Sequence, residues 1–483
     1  MNILKLIELK HKNIQNDKNY LFKDGGVNMI KRNINGTIDN SQRGATIIIV
    51  AFAMVVLISI GALAVDLGFA YFQRTNLQKA VDSSALAGAS VLYQEENGEL
   101  IIKPFSVREE AVSYFDKNVH GLNADVTVDV GHWSFGIMSE KKFESMWDGY
   151  AEEITPVDLY EVGDDWDNPN SGHINSVQVE ASVQSPTFFS RIFGKENLVV
   201  RSKAVAYLGF PGGFQPGEID MPIVICKESI AGWGDDDLSC GIARLIHSGQ
   251  ASGNLDFNSG AWTNYSSGCE LSFSAGNNPG GLQYILSDMT GECKVPNPTA
   301  ISGSVSTGGG QTNVGFSEVG DCLKFPAFVS GNEDPRTEPW NITILVVDCE
   351  GSNNPSGCLS VVGAVNIDIV LITDTFPSAE GQKYQDVPYE MQDPRKGDDN
   401  KGPFKQEAYS DIDFNDGRER WKAFVDHFDL KVINQSTGEK VPAHDNYYQK
   451  TIYAVPSCTK VEKKGISGGP NFGTLAEVPV IVN

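Results

Sequence analysis

The pattern of hydrophobic and polar positions changes sharply near residue 64. From Ala45 to Ala64 the chain runs for 20 residues without a charge, built mainly from Ile, Val, Ala, Leu, Phe and Met. As a helix rising about 1.5 Å per residue, this run is roughly 30 Å long, the thickness of a bilayer's hydrocarbon core. Because a helix in water needs one polar face, the run is predicted to span a membrane.

The helix is predicted to continue beyond the apolar run. From Asp66 to Leu92 there is no proline, and apolar residues recur every three or four positions among charges, which favours an amphipathic helix. Small residues four positions apart share one face of it: Ala64 with Gly68, and Ala80 with Ser84 and Gly88. Such a face permits close packing, either on the chain's own globular part or on another subunit. The sequence favours neither partner.

These residues together follow a recognisable signature. They are Arg43, Gly44, Ala45, Val65, Asp66, Leu67, Gly68, Tyr71, Arg74, Leu77, Gln78, Ala80, Asp82, and the run Ala85-Leu86-Ala87-Gly88-Ala89. The pattern resembles the N-terminal signature of the Tad/TadG-like Flp pilus-assembly proteins: RGA, a membrane helix, then VDxGxxYxxRxxLQxAxDxxALAGA. The chain departs from it at Val81 and Ser83-Ser84, where alanines are commoner.

The resemblance implies a non-enzymatic, membrane-anchored component of a Tad/Flp-type pilus assembly or secretion system. Its partners would be other Tad/Flp assembly proteins, and the N-terminal helix could also self-associate. The interface residues that the resemblance implies on this helix are Gly44, Asp66, Gly68, Tyr71, Arg74, Leu77, Gln78, Asp82, Leu86 and Gly88.

The charge is distributed unevenly about the apolar run. The whole chain has a formal net charge of −24, yet residues 1–43 hold eight basic and four acidic side chains. The positive-inside rule therefore predicts a cytoplasmic N-terminus, with the acidic bulk periplasmic or extracellular and the helix crossing the inner membrane once. So acidic a chain is not expected to bind nucleic acid, which requires a basic surface.

The N-terminal residues leave the processing of the chain open. Residues 1–43 are polar and are expected to form a loosely ordered tail, and Met29 is an alternative start. Ala62-Leu63-Ala64 offers a signal-peptidase site, but the 20-residue run exceeds the usual 7–15 of a secretory signal, which favours a retained anchor. A prepilin-type cut after Gly44 is disfavoured, since Ile49 stands where such sites usually have glutamate.

All cysteines follow the apolar run, at Cys226, Cys240, Cys269, Cys293, Cys322, Cys349, Cys358 and Cys458. An even number confined to the exported part predicts disulfides, with free buried cysteines as the alternative. Eight cysteines allow 105 pairings. Proximity in sequence favours three of them: Cys349–Cys358, Cys226–Cys240 and Cys269–Cys293.

Residues 94–210 are predicted to form an α+β module packed on the long helix. The expected elements are a helix starting at a Ser106/Glu109 capping box, strands over Ala124–Val130, Val177–Val183 and Leu198–Leu208, and an aromatic helical turn over Pro186–Phe193. The predicted organisation is a tail (1–43), the membrane and extended helix (44–93), this module (94–210) and a β-rich domain (211–483).

The β-rich domain is predicted from short apolar runs separated by turn residues. The runs are Met221–Ile225, Leu282–Leu286, Ile342–Val347 and Leu359–Thr373, with a loop over Ser302–Thr312, a helix over Arg418–Phe428 capped by Asp416, and a last strand over Val478–Val482. The overall fold class is therefore α+β: one transmembrane helix extending into an amphipathic helix, a small α+β module and a disulfide-bonded β-rich domain.

Candidate chemistry is sparse. The acidic segment Asp411–Gly417 could hold Ca²⁺, but the EF-hand register fails at Asp416 and Lys422, and a solvated loop before a helix is favoured. The alternative function is accordingly an exported calcium-dependent adhesin or binding protein with a Tad-like anchor. The chain has no P-loop and no HExxH helix, so no catalytic residue, metal or cofactor is predicted, and an exported hydrolase is only a third hypothesis.

Overall fold

The structure, a computed structural model, describes residues 41–96, 99–119, 123–134, 143–154, 174–227, 244–247, 260–274, 278, 281–286, 299–308, 339–350, 355–373, 384, 387–391, 404–405, 409–433, 437, 440–448, 451–456, 463–469 and 472–482. Its contacts divide the chain into two compact units, before and after the peptide bond from Ala64 to Val65.

Four helices and one short 3₁₀ turn lie in the described residues: α1 (Ser41–Ser90), α2 (Pro104–Asn118), the 3₁₀ turn (Ser190–Phe193), α3 (Leu282–Leu286) and α4 (Gly417–His427). The described strands, in chain order, are β1 (Gln94–Glu96), β2 (Glu99–Ile101), β3 (Ala124–Trp133), β4 (Phe143–Ser145), β5 (Ser176–Pro186), β6 (Asn197–Tyr207), β7 (Phe210–Phe214), β8 (Ile223–Cys226), β9 (Arg244–His247), β10 (Gly260–Ser267), β11 (Ile301–Ser302), β12 (Ser304–Gly308), β13 (Trp340–Asp348), β14 (Gly357–Thr373), β15 (Glu390–Met391), β16 (Phe404–Lys405), β17 (Lys431–Ile433), β18 (Lys440–Pro442), β19 (Thr451–Pro456), β20 (Ile466–Gly469) and β21 (Val480–Val482).

The long helix α1 is continuous over 50 residues, as the hydrophobic pattern predicts. In the first unit its large apolar side chains are exposed, among them Ile47, Phe52 and Leu57. By length and composition this helix is able to cross a membrane. The predicted apolar N-terminal helix is therefore confirmed.

The α+β module is built on a five-stranded antiparallel sheet in the order β21-β6-β5-β3-β4. The alternation along β5 buries one face, so that Val177, Val179 and Val183 lie in a core shared with α1 and α2. From α1 this core receives Leu77, Ala80, Val81, Ala85 and Ala89. The predicted strands over Ala124–Val130 and Val177–Val183 lie within β3 and β5, and the one over Leu198–Leu208 matches β6 except for Leu208, which follows its last residue.

The predicted capping box of the second helix is wrong. Helix α2 begins at Pro104, and Ser106 lies inside its first turn. The N-cap residue is Lys103, which makes no side-chain capping hydrogen bond. Proline starts this helix because its fixed φ suits the first helical position, where no intrahelical N–H bond is needed.

The β-rich part contains a seven-stranded sheet in the order β12-β10-β8-β13-β14-β19-β9. Strand β12 pairs with both β10 and β14, so five of these strands form a closed ring of pairings. The closure depends on β14, whose 17 residues pair in turn with β12, β13 and β19. Only the pairing of β8 with β13 is parallel among these strands.

Two elements of this part differ from the predictions. Leu282–Leu286 forms helix α3, because Leu282, Ile285 and Leu286 are buried at helical spacing while Tyr284 is exposed. The predicted loop after residue 301 contains strands β11 and β12, and the buried Val305 pairs with Leu359. Residues 309–312 of that loop lie outside the described residues.

The structure joins Cys226 to Cys349 and Cys269 to Cys358. It therefore confirms disulfides but contradicts the three pairings favoured by proximity, Cys349–Cys358, Cys226–Cys240 and Cys269–Cys293. The first disulfide spans 123 residues because β8 and β13 are neighbours in the sheet, so their ends meet. The remaining predicted cysteines, Cys240, Cys293, Cys322 and Cys458, lie outside the described residues.

The end of the chain returns to the α+β module. Strand β21 pairs with β6 through Val480↔Tyr207 and Val482↔Val205, and the nearby Leu475 and Ala476 are buried in the module's core. The boundary between the α+β module and the β-rich domain at residue 210 remains a prediction. The last strand lies in the predicted β-rich range 211–483, yet it belongs to the sheet of the α+β module.

Candidate functional site

The predicted interface residues lie along α1 and differ in burial. Asp66, Leu77 and Gly88 are buried; Gln78, Asp82 and Leu86 are half-buried; Gly68, Tyr71 and Arg74 are exposed. Gly44 lies in the same helix. The signature therefore combines side chains used inside the second unit with side chains that face outward.

Asp66 holds the turn between β5 and β6. The residue is 2% exposed, and its carboxylate accepts the backbone N–H groups of Phe188 at 2.8 Å, Ser190 at 2.7 Å and Phe189 at 3.2 Å. The Ser190 hydroxyl donates a further hydrogen bond at 2.7 Å. These donors precede or begin the 3₁₀ turn, so the carboxylate caps N–H groups that the turn itself leaves unpaired.

These hydrogen bonds also determine the ionisation of Asp66. Burial by itself would raise the pKa of the carboxyl, but the hydroxyl of Ser190 and the backbone N–H groups of Phe188, Ser190 and Phe189 outweigh it and lower the pKa to about 2. Asp66 is therefore a carboxylate at physiological pH. Its charge is satisfied by the turn rather than by water.

An aromatic contact adds to this attachment. The rings of Phe69 and Phe188 meet edge to face, with centroids 5.3 Å apart. Phe69 follows Asp66 by three residues on α1, so the polar and the aromatic contacts hold the same turn on the same side of the helix.

A second set of contacts attaches α1 to β6. The amide nitrogen of Gln78 donates to Asp82 Oδ1 at 2.8 Å and to the carbonyl oxygen of Lys203 at 3.0 Å. The hydroxyl of Ser202 donates to the carbonyl oxygen of Arg74 at 3.4 Å. Gln78 and Asp82 thus have a structural use within the chain.

Of the two sets of small residues on α1, the second, Ala80, Ser84 and Gly88, packs within the chain. A Cβ added to Gly88 would lie 3.1 Å from Val177 Cγ1 and 3.2 Å from Ala111 Cβ. The hydroxyl of the buried Ser84 donates to the carbonyl oxygen of Ala111 at 2.6 Å. By contrast, a Cβ on Gly68 would meet no heavy atom within 4 Å.

Three of the exposed signature residues, Gly68, Tyr71 and Arg74, follow one another at intervals of three positions and so lie along one side of α1. Tyr71 is 73% exposed, and Gly68 and Arg74 are exposed beside it. At about 100° per residue, Asp66 lies on the side of the helix opposite to Gly68. We call Gly68, Tyr71 and Arg74 the outer face of α1.

The acidic segment before α4 acts as a cap. Asp416 Oδ1 accepts the backbone N–H of Arg418 at 2.9 Å, as predicted, and Asp413 Oδ1 accepts that of Asn415 at 3.0 Å. Among the described residues, no group of three or more His, Cys, Asp or Glu side chains is placed to hold a metal ion. The calcium site stays a prediction.

One motif was missed in the sequence. Gly465-Ile466-Ser467-Gly468-Gly469 has the GxSxG spacing of a serine-hydrolase elbow, which requires a strand-to-helix turn. Here Ile466–Gly469 is strand β20, which pairs with β7, and the Ser467 hydroxyl accepts the backbone N–H of Gly209 at 3.2 Å. The surrounding backbone therefore differs from an elbow.

The contact between Asp66 and the aromatic turn was not predicted from the sequence, although α1 and the turn were each predicted.

Comparison with known families matches residues 44–91 to Tad, the Flp pilus-assembly TadE/G-like family. Residues 87–206 match Tad_C, the Tad-like Flp pilus-assembly family. No curated protein and no solved structure matches the chain. The two matched segments meet in α1 and cover the turn that Asp66 holds.

Proposed function

We propose that this chain, whose residues 44–91 and 87–206 match the Tad and Tad_C Flp pilus-assembly families, is a non-enzymatic, membrane-anchored component of a pilus assembly system. Helix α1 anchors it, and the outer face of α1 binds another assembly protein or a second copy of the chain. The α+β and β-rich parts act on the outer side of the inner membrane, in the periplasm or cell envelope.

The observation that carries this proposal is the division of the signature between the two sides of one helix. Asp66, Leu77, Gln78 and Gly88 have partners within the chain, which accounts for their presence by folding alone. Gly68 has open space around it. A glycine in an exposed helix costs about 0.8–1 kcal/mol relative to alanine, so folding of this chain does not favour it. Close approach of another helix would favour a glycine at this position, because it has no side chain to obstruct the contact.

The distribution of charge and the disulfides support the proposed topology. The excess of basic residues before the apolar run supports a cytoplasmic N-terminus, because positively charged flanks remain on the cytoplasmic side. The disulfides Cys226–Cys349 and Cys269–Cys358 support an oxidising compartment for the part after the membrane helix.

The test is a substitution on the outer face in the full-length chain. Gly68→Leu is expected to leave the fold intact and to abolish co-purification with the Flp assembly proteins of the same cell and the formation of pili. Tagged chain would be extracted from membranes with mild detergent, bound proteins identified by mass spectrometry, and surface pili counted by electron microscopy.

Two control variants make the result specific. Tyr284→Ala alters an exposed residue outside α1 and should preserve both readouts, whereas Gly88→Leu should reduce them only through loss of folded protein. Normal pili and normal co-purification in Gly68→Leu would contradict the assembly role of the outer face.

A further inference from the structure

We propose that the turn between β5 and β6 is a second membrane-contacting element, which inserts its apolar side chains into the interface of the bilayer that α1 crosses. We call residues Phe188, Phe189, Ile192 and Phe193 the apolar turn. The proposal rests on the retained anchor of the proposed function and adds to it a lipid-binding site in the globular unit.

The first observation is the exposure of the apolar turn. Phe188 is 52% exposed, Phe189 38%, Ile192 77% and Phe193 74%. Elsewhere after α1, the exposed large apolar side chains among the described residues are separated along the chain, as at Tyr150, Tyr284 and Tyr389. Single exposed apolar residues are ordinary, but four within six residues mark an interaction site.

The second observation is where the turn is attached. Asp66, whose carboxylate accepts its N–H groups, is the first ionisable residue after the apolar run and follows Ala64 by two positions in the same helix. A segment held by Asp66 is therefore attached two residues along the chain from the predicted end of the membrane segment. That position corresponds to the headgroup level of a bilayer, where aromatic side chains are enriched.

The third observation concerns charge. Placing an ionised carboxylate near hydrocarbon is costly unless hydrogen bonds replace its water. The turn supplies those hydrogen bonds from three backbone N–H groups and one hydroxyl, so Asp66 can lie at the membrane surface without being hydrated. The attachment thus suits a low-water environment.

The fourth observation is that basic side chains lie next to the apolar turn. Arg191 and Lys195 are exposed, and Gly194 in the left-handed conformation ends the turn between them. Basic groups beside aromatic ones bind anionic phospholipid headgroups while the rings enter the acyl boundary. Glu196 is the acidic exposed neighbour, so the exposed side chains of residues 191–196 carry a net charge of +1 in a chain whose net charge is −24.

A protein partner is the competing occupant. Stable protein interfaces involve about 20–30 residues on each partner, more than the six residues of this turn. A turn of this size suits insertion into a fluid interface, which conforms to it. Photocrosslinking from the turn distinguishes lipid from a protein partner.

The test places a photoreactive diazirine amino acid at Ile192 in the full-length chain, reconstituted in vesicles of phosphatidylethanolamine and phosphatidylglycerol and also expressed in the native cell membrane. The same amino acid is placed at Ile58 in the apolar run as the membrane control and at Tyr284 on the globular surface as the solvent control. After illumination, lipid adducts are identified by mass spectrometry and protein adducts by gel electrophoresis. Circular dichroism of each labelled chain checks that the fold is preserved.

The expected result is lipid adducts at Ile192 and Ile58 and none at Tyr284, in vesicles and in cells. Lipid adducts at Ile58 without any at Ile192 would overturn the membrane contact of the turn and leave the anchor standing. Protein adducts at Ile192 in cells, without lipid adducts, would assign the turn to a protein partner and also overturn it. Absence of lipid adducts at Ile58 would overturn the anchor and this inference with it.

Discussion

The carboxylate of Asp66 lies 2.7 Å from the backbone nitrogen of Ser190, although 124 positions separate the two residues in the chain. This contact joins α1, just after its apolar run, to the turn between β5 and β6. It accounts for an aspartate immediately after a membrane-spanning run, because the turn supplies the hydrogen bonds that water would otherwise provide.

Replacing Asp66 by asparagine should release the turn. An amide side chain has one acceptor oxygen instead of two, and its NH₂ group would face some of the donors of Phe188 to Ser190, so those donors lose their acceptor. Hydrogen exchange at residues 188–190 should accelerate strongly, while β5 and β6 stay protected. Asp125→Asn, at an exposed site on β3, is the control and should change neither. Unchanged exchange in Asp66→Asn would show that the carboxylate does not hold the turn.

The stabilisation by Asp66 should depend on pH in the acid range. The pKa of Asp66 is about 2 in the folded chain and near 3.8 when unfolded, so the unfolded chain takes up the proton first as pH falls. The contribution is therefore complete well above pH 3.8 and is lost as pH falls toward 2. The difference in unfolding free energy between wild type and Asp66→Asn, measured by denaturant titration, should be constant near neutrality and shrink over that window. A difference that shrinks above pH 5 would contradict the lowered pKa.

The two signature glycines should respond oppositely to the same substitution. Gly88→Leu forces a side chain against Val177 and Ala111, and overpacking of this kind typically costs about 1–3 kcal/mol. Gly68→Leu meets no neighbouring atom and exchanges glycine for a better helix former, so stability should be unchanged or slightly higher. Chemical denaturation of both variants in detergent measures this. Equal destabilisation by both would show that Gly68 is packed within the chain.

The disulfides should be detectable and stabilising. Peptide mapping without reduction should recover Cys226–Cys349 and Cys269–Cys358, and no peptide joining Cys349 to Cys358. Replacing Cys226 and Cys349 together by serine should lower the unfolding free energy by about 2–5 kcal/mol, because a long loop of the unfolded chain is no longer closed. A recovered Cys349–Cys358 peptide, or unchanged stability of the double variant, would contradict the arrangement of β8 and β13.

Local patterns allowed much of the secondary structure to be predicted. The uncharged run at Ala45–Ala64, the alternation in β5 and the aromatic residues before Gly194 each reflect the preferences of neighbouring residues, which a sequence displays directly. The failures were also local where two signals competed. The apolar character of Leu282–Leu286 favours a strand, but its buried residues have helical spacing, and Ser106 has the spacing of a cap although Pro104 begins the helix.

Patterns in the sequence alone predict the long helix, the strands of the α+β module and a set of candidate interface residues. Which of those residues face inward depends on the tertiary structure, because segments far along the chain bury them. Gly68 and Gly88 belong to the same four-residue pattern, yet Val177 and Ala111 pack on the second alone. The same reason applies to the disulfide pairs, to the pairing of β21 with β6 and to the hydrogen bonds between Asp66 and Ser190. Each joins residues that are far apart in the chain, so no local sequence pattern indicates it.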